Sequence, residues 1–273
     1  MKTVLAICIS IIGLFTISCE ERIDDRIIPE QTNLLIVEGI ITNEKINHRV
    51  KLSLPHSTQN EVALPATNAV VAIISSDDDV TLLNESPVGS GEYYTDSIRA
   101  VYGKSYLLYI KYNETEYYAV DYSSAGQPLD SIHLTETIVN NLPLYSLKYE
   151  KSGTKPNYIT YDINWEQTEY CTTNTIDCFG KLIYYDLKNI DVQEIYAPKK
   201  EAFLFPVRSR IIRKKYSISD KYQEFLRSLL SETEWRGGLF DVQRSNVPTN
   251  LSEGAIGFFA VSTVVTDTVI VGI

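Results

Sequence analysis

Residues 105–121 read SYLLYIKYNETEYYAVD. Side chains alternate across an extended chain, so Tyr106, Leu108, Ile110 and Tyr112 share one face, and Glu116 to Asp121 returns over Asn113-Glu114. Alternation on both sides of a two-residue polar link predicts a β-hairpin. Upstream, Gly89-Ser90-Gly91 is a turn leading into Glu92-Tyr93-Tyr94. Ala69 to Ser76 is apolar on both parities, as in a strand buried on both sides, and Val80 to Leu83 returns after a turn at Ser75 to Asp79. His48 to Leu54 places Val50, Leu52 and Leu54 on one face and is stopped by Pro55. Leu34 to Thr42 is apolar except for Glu38-Gly39, where Gly39 suggests a bulge or a close backbone approach. Six or seven short strands in about 90 residues fit a β-sandwich of immunoglobulin-like or transthyretin-like size over residues 34–124.

Downstream, Ser123 to Asp130 (SSAGQPLD) gathers Gly, Pro and small polar residues and reads as a boundary. A second, β-rich domain is expected over 125–273. Ile159, Tyr161, Ile163 and Trp165 alternate with Thr160, Asp162 and Asn164, and Phe179 to Leu187 follows as a second strand. Ser217-Ile218-Ser219-Asp220 has the form of a capping box. Tyr222, Phe225, Leu226, Leu229 and Leu230 then follow a helical stripe, so one amphipathic helix is expected near 218–231, ended by Gly237-Gly238 at the latest. Gly257 to Thr263 and Val264 to Ile273 read as two terminal strands with no tail. The expected fold class is mainly β: an N-terminal sandwich followed by a β-rich domain carrying one helix. Nineteen tyrosines beside one Met and two Trp lean the same way.

At the N-terminus, Lys2 precedes an apolar run from Val4 to Ile17, shorter than the roughly 20 residues of a spanning helix. Such a run ending in the small residue Ser18 has the layout of a secretory signal over 1–18. With Cys19 next, it resembles the lipobox of bacterial lipoproteins. That resemblance implies cleavage before Cys19 and acylation of its sulfur and new amine, holding the protein to a lipid bilayer. The alternatives are an ordinary signal peptide with a coincidental cysteine, or an anchor helix. Residues 19–33 are then a tether, acidic in Glu20-Glu21-Arg22-Ile23-Asp24-Asp25, which resembles the surface-export signal of Bacteroidota lipoproteins. The chain beyond residue 18 has 24 basic and 35 acidic residues, a formal charge of −11. That charge disfavours nucleic acid and anionic lipid surfaces as partners.

Cys8 leaves with the signal and Cys19 is taken by lipid, so Cys171 and Cys178 remain as an even pair in a compartment that permits disulfides. A disulfide capping the hairpin between the flanking strands is expected, with two free thiols as the alternative. Six intervening residues and no nearby His are not zinc spacing.

Chemistry is sparse. Asp77 and Asp79 offer carboxylates at a turn, but no calcium loop closes after them. His48, His56 and His133 are scattered along the chain, and no nucleophile elbow, phosphate-binding glycine loop or HExxH is present. No catalytic residue, cofactor or metal is therefore expected. Arg208, Arg210, Arg213, Lys214 and Lys215 form the one dense basic cluster. It reads either as a solvated edge strand protected by charge or as a contact to an acidic partner or ligand, with Arg208 and Arg210 on one face.

Several segments run in a familiar order: Val37 to Asn43, Asn68 to Ile73, Gly91-Glu92-Tyr93, Gly103 to Leu108, Gly238 to Asp241, and Pro248 to Phe259. Together with the lipobox they resemble the Bacteroidota outer-membrane lipoprotein family catalogued as domain of unknown function 4249. The resemblance implies a lipid-anchored protein of the outer membrane, encoded beside a TonB-dependent receptor, and supplies no catalytic residue. It points to an accessory of an uptake system that captures or hands over a ligand, or acts as a lid. An adhesion or assembly module binding protein through its sandwich is the second reading, and an extracellular hydrolase the third. The ligand is not legible.

If Cys19 carries lipid, the full chain partitions into detergent and incorporates labelled palmitate, while Cys19→Ala does neither. Three acyl chains exceed what stable anchoring requires, at about 0.8 kcal/mol per buried CH₂. Equal label uptake by the variant would rule lipidation at Cys19 out.

Overall fold

The described residues of a computed structural model, 34–55, 62–149, 155–171, 178–187, 203–233 and 247–272, carry fifteen strands and one α-helix. The first eight strands are β1 (Leu35–Thr42), β2 (Ile46–Leu54), β3 (Leu64–Pro65), β4 (Val70–Ser75), β5 (Val80–Glu85), β6 (Glu92–Ile98), β7 (Ser105–Tyr112) and β8 (Thr115–Tyr122). Then come β9 (His133–Val139), β10 (Leu142–Lys148), β11 (Asn157–Asn164), β12 (Phe179–Asp186), β13 (Phe205–Pro206), β14 (Arg210–Ser217), α1 (Asp220–Thr233) and β15 (Ala255–Ile270). Twelve strands form one sheet in the order β12-β11-β14-β15-β1-β2-β6-β5-β4-β7-β8, with β3 added to β2. The order β13-β10-β9 forms a second, smaller sheet.

The β7–β8 hairpin turns at Asn113 (φ 47°) and Glu114 (φ 63°), the paired left-handed conformations of a two-residue hairpin link. The large sheet folds over at β5. Its Val80 to Leu83 pair with β4, while Asn84 and Glu85 pair with β6. Val37, Ile41, Val50, Leu52 and Tyr93 thereby face Val71, Ile73, Leu108, Ile110 and Tyr117 in one core. This is the expected N-terminal sandwich. The pairing of β1 with β15 runs in register through Gly39, and Gly39 still pairs with Val50 of β2, so there is no bulge there. A Cβ at Gly39 would lie 3.2 Å from Val50 Cγ2 and 3.3 Å from Phe259, which leaves close approach as the reason for glycine.

Expected as two strands, residues 255–270 form one. No Gly, Pro or Asn interrupts 258–270, and the partner changes instead of the strand. Ala255 to Ser262 run parallel to β1, and Thr263 to Ile270 run antiparallel to β14. At the changeover Asn43 completes the ladder by side chain. Its Oδ1 accepts from Val264 N–H (2.6 Å) and its Nδ2 donates to Val264 C=O (3.1 Å). Phe259 and Val261 of β15 belong to the sandwich core, although they lie far beyond the division drawn at 124/125.

Ile159, Tyr161, Ile163 and Trp165 are buried on one face of β11, as their alternation predicts, beneath β9, β10 and β13. The β9–β10 hairpin turns at Asn140 and Asn141, again both left-handed (φ 49° and 63°). On the opposite face, α1 packs Leu226 and Leu230 with Ile218, Leu187, Tyr158, Tyr185 and Tyr216. Its N-cap is Ser219, whose hydroxyl accepts from Tyr222 N–H (3.2 Å). Ser217, expected to share in the cap, ends β14 and accepts from Gln127 N–H (2.9 Å). Tyr222 and Phe225 flank Phe258, with ring centroids 4.9 and 5.1 Å away, while Leu229 leaves the stripe and is partly exposed.

Gly257 fixes where β1 meets β15. Its φ is 102°, and a Cβ would stand 2.0 Å from the Val37 carbonyl oxygen. Gly257→Ala should lower unfolding free energy by about 2–4 kcal/mol in urea titrations, the range of a strained and overpacked site. Gly103→Ala, with φ 81° and open space around the new methyl, should cost only about 1 kcal/mol. Equal losses would show that backbone strain alone, not contact with β1, demands glycine at 257.

Candidate functional site

On the α1 side of the sheet, side chains stand in rows across four strands. Tyr185, Tyr158, Tyr216 and Val264 form the row nearest the helix. Lys181, Asp162, Ile212 and Thr268, then Phe179, Asn164, Arg210 and Ile270, form rows towards the other end. The helix packs over the tyrosine end. At the other end lies a groove of about 770 Å³, floored by Ile212 and Ile270 and bounded by Phe179, Arg208 and the loop that follows β11.

That loop is held by short-range bonds. Trp165 N–H donates to Cys178 C=O (2.8 Å), Thr168 N–H to Trp165 C=O (3.0 Å) and Cys171 N–H to Thr168 C=O (3.1 Å). The Cys171–Cys178 disulfide is present, with Cα atoms 5.7 Å apart, and closes the β11–β12 connection. Trp165 turns its ring to the opposite face, 5.7 Å from the Phe203 ring. The disulfide therefore pins one wall of the groove.

The other wall is the turn from β13 into β14. Arg208 is left-handed (φ 66°) and donates its N–H to Val271 C=O (2.9 Å), and Ser209 Oγ donates to Pro206 C=O (2.7 Å). Arg208 and Arg210 are both exposed, and among the described residues neither guanidinium has an ion-pair partner. The remaining groove charges are Glu166, Glu169 and the Asp162–Lys181 pair at 3.7 Å.

The rest of the basic cluster points elsewhere. β14 lies between β11 and β15, so it is not an edge strand. Strand parity sends Arg213 and Lys215 to the opposite, buried face. Arg213 donates to Asp130 C=O (2.7 Å) and pairs with Asp267, whose carboxyl it holds below the ordinary range. Lys215 Nζ donates to Pro128 C=O (3.0 Å) and Asp130 Oδ2 (2.8 Å). Lys214 takes Glu44 at 2.8 and 3.1 Å. Arg213 is thus a structural residue, not a partner-binding one, and the accessible pair is Arg208 and Arg210.

Asp77 to Asp79 form the β4–β5 turn. Ser75 Oγ accepts from Asp77 and Asp79 N–H, and Lys104 pairs with Asp77. Among the described residues no group of three or more His, Cys, Asp or Glu is placed to hold a metal ion. His48 is buried on β2 beside Ile98 C=O (3.2 Å), and burial lowers its pKa; His133 is exposed on β9. His56, Cys19, the acidic tether and Gly237-Gly238 lie outside the described residues.

The stretch 249–259 is a seam. Asn250 Nδ2 donates to Phe259 C=O (2.8 Å) and Val120 C=O (3.2 Å), while its Oδ1 accepts from Phe259 N–H (3.1 Å). Thr249 Oγ1 donates to Gly257 C=O (2.8 Å), and Leu251 bridges to Ala119. Asn250 thus ties β8 to β15, and its side-chain amide is spent in doing so.

The chain belongs to the family described as Domain of unknown function (DUF4249), whose model matches residues 20–268. No curated protein matches it.

The division of the basic cluster is directly measurable. Arg213→Met strips Asp130 and Asp267 of a charged donor and should cost about 2 kcal/mol of unfolding free energy. Arg210→Met should stay within about 0.5 kcal/mol. A similar loss at both positions would return Arg210 to a structural role.

Proposed function

We propose that this chain is a lipid-anchored, surface-exposed accessory lipoprotein of a TonB-dependent outer-membrane uptake system. Its groove captures a ligand or hands it over, a binding role and not a catalytic one. The observation that carries this reading is the direction of β15. Leu35, where the described chain begins its first strand, pairs with Ala255 at one end of that strand. Arg210, on the rim of the groove, pairs with Ile270 at the other. Fifteen residues of extended chain separate the two pairings, roughly 50 Å at about 3.3 Å per residue. A chain anchored through Cys19 enters the fold at the first end and presents the groove from the second. Anchorage in the receptor's own membrane raises the effective concentration of the pair, so a modest interface suffices.

One feature favours the adhesion or assembly reading. The outward face of β5, β4, β7 and β8 carries the rows Leu82–Ala72–Tyr109–Tyr118 and Val80–Ile74–Leu107–Val120. Leu82 and Val80 are each 61% exposed there.

Protease added to intact cells should degrade the protein, and pull-down from solubilised outer membrane should recover a TonB-dependent receptor. Arg208→Glu with Arg210→Glu should weaken that recovery, and Leu82→Asp with Val120→Asp should not. Full protection from protease would remove the surface role. Loss of recovery only with the Leu82 and Val120 changes would move the function to the sandwich.

A further inference from the structure

We infer that the groove bounded by the disulfide-pinned loop and the β13–β14 turn binds an extended acidic peptide, with Arg208 and Arg210 on its carboxylates and Ile212, Ile270 and Phe179 on its apolar side chains. This rests on the groove being the binding site of the proposed accessory role, and it names what that site takes.

The other three cations of the cluster are consumed internally, Arg213 and Lys215 by the segment 128–130 and Lys214 by Glu44. Arg208 and Arg210 stay exposed and unpaired among the described residues, in a protein with ten more acidic than basic residues. Two like charges two residues apart repel, and a ligand carboxylate set between them relieves that repulsion. A guanidinium presents a planar fork of donors that matches a carboxylate on two bonds. Arg208 also occupies a left-handed backbone position where glycine would be unstrained. A long side chain is kept there against the backbone's preference.

Phe179 is 57% exposed on the outermost row of the sheet, beside Asn164 and with Arg210 one strand beyond. Ile212 and Ile270 line the groove beneath. A ligand with charge alone leaves this apolar surface wet, whereas side chains alternating along an extended peptide reach both the rim and the floor.

The groove's own carboxylates separate a peptide from a polyanion. Asp162, Glu166 and Glu169 line the same groove. A sulfated glycan or nucleic acid, bearing anions along its whole length, is repelled by these carboxylates. A peptide carries backbone N–H donors as well as acids, and those donors suit Glu169 and the remaining lone pairs of Glu166, which accepts from Asn164 Nδ2 at 3.0 Å. The Cys171–Cys178 disulfide holds this acidic wall in place before any ligand arrives, which lowers the ordering cost of binding.

The test uses the full chain purified in detergent and a fluorescein-labelled octapeptide of alternating Glu and Leu, read by anisotropy. The same peptide with Lys for Glu and a sulfated heparin oligosaccharide serve as comparisons. Expected are saturable binding of the Glu peptide, weakening in 0.5 M salt, on the order of tenfold weaker binding in Arg208→Gly with Arg210→Ser, and weaker binding in Phe179→Ser. The Lys peptide should not bind. The thermal midpoint of Arg208→Gly should hold or rise, showing that lost binding is not lost folding. Equal binding by the double variant, equal binding of the Lys peptide, Arg-dependent binding of the sulfated oligosaccharide alone, or binding of no probe would each overturn the inference. Because no receptor or cell is present, such a failure leaves the accessory role standing if the pull-down succeeds. Peptide binding without receptor recovery would leave the site and remove the uptake partner.

Discussion

The strand Ala255–Ile270 is shared between two sheets' worth of structure, and everything else is arranged around satisfying its backbone. A buried strand must place each N–H and C=O with a partner. β1 takes the first half and β14 the second. Where neither strand reaches, side chains substitute. Thr249 serves Gly257, Asn250 serves both groups of Phe259, Asn43 serves both groups of Val264, and Asp121 accepts from Val261 N–H at 2.9 Å. Burial pushes the Asp121 carboxyl upward, and the bond from Val261 opposes that push. The cost of enclosing these polar side chains is offset by a strand that contributes to the sandwich core and, at Phe258, to the helix contact.

The segment 123–130 has the composition of a free linker, yet it is strapped down along its length. Ser124 C=O accepts from Thr263 Oγ1, Gln127 N–H donates to Ser217, and Asp130 is taken by both Arg213 and Lys215. Lys214 reaches across to Glu44, at the turn after β1. These contacts leave no hinge at the apparent boundary. The groove is therefore held at a set distance from the end where the first strand begins, which is what the proposed anchor and the proposed binding site require of one body.

Local patterns were legible in the sequence, and long-range pairings were not. Alternation in Tyr106 to Tyr112 and in Ile159 to Trp165 marked strands because each of those faces meets one core. The Cys171–Cys178 pairing and the stripe through Tyr222, Leu226 and Leu230 were equally local. The β9–β10 hairpin carries its own local mark, Asn140-Asn141, a pair tolerant of left-handed backbone at its turn. Arg213 and Lys215 misled because charge in a strand suggests solvent, whereas their partners lie 54 to 87 residues away. β15 was divided because its change of partner leaves no trace in its own residues. The groove was illegible for the same reason: its floor draws on two rows across four strands, and its two arginines separate from the cluster only through the distant partners that take Arg213, Lys214 and Lys215.

The central claim is that β15 makes the sandwich and the groove-bearing sheet one cooperative body. Native-state hydrogen exchange across a denaturant series tests this most directly, by following amides of β1, β2 and β7 beside those of β11 and β14. The account predicts that the slowest amides of both sets converge on one global opening free energy and one denaturant dependence. Two separate openings, with β11 and β14 exchanging while the sandwich stays protected, would contradict it.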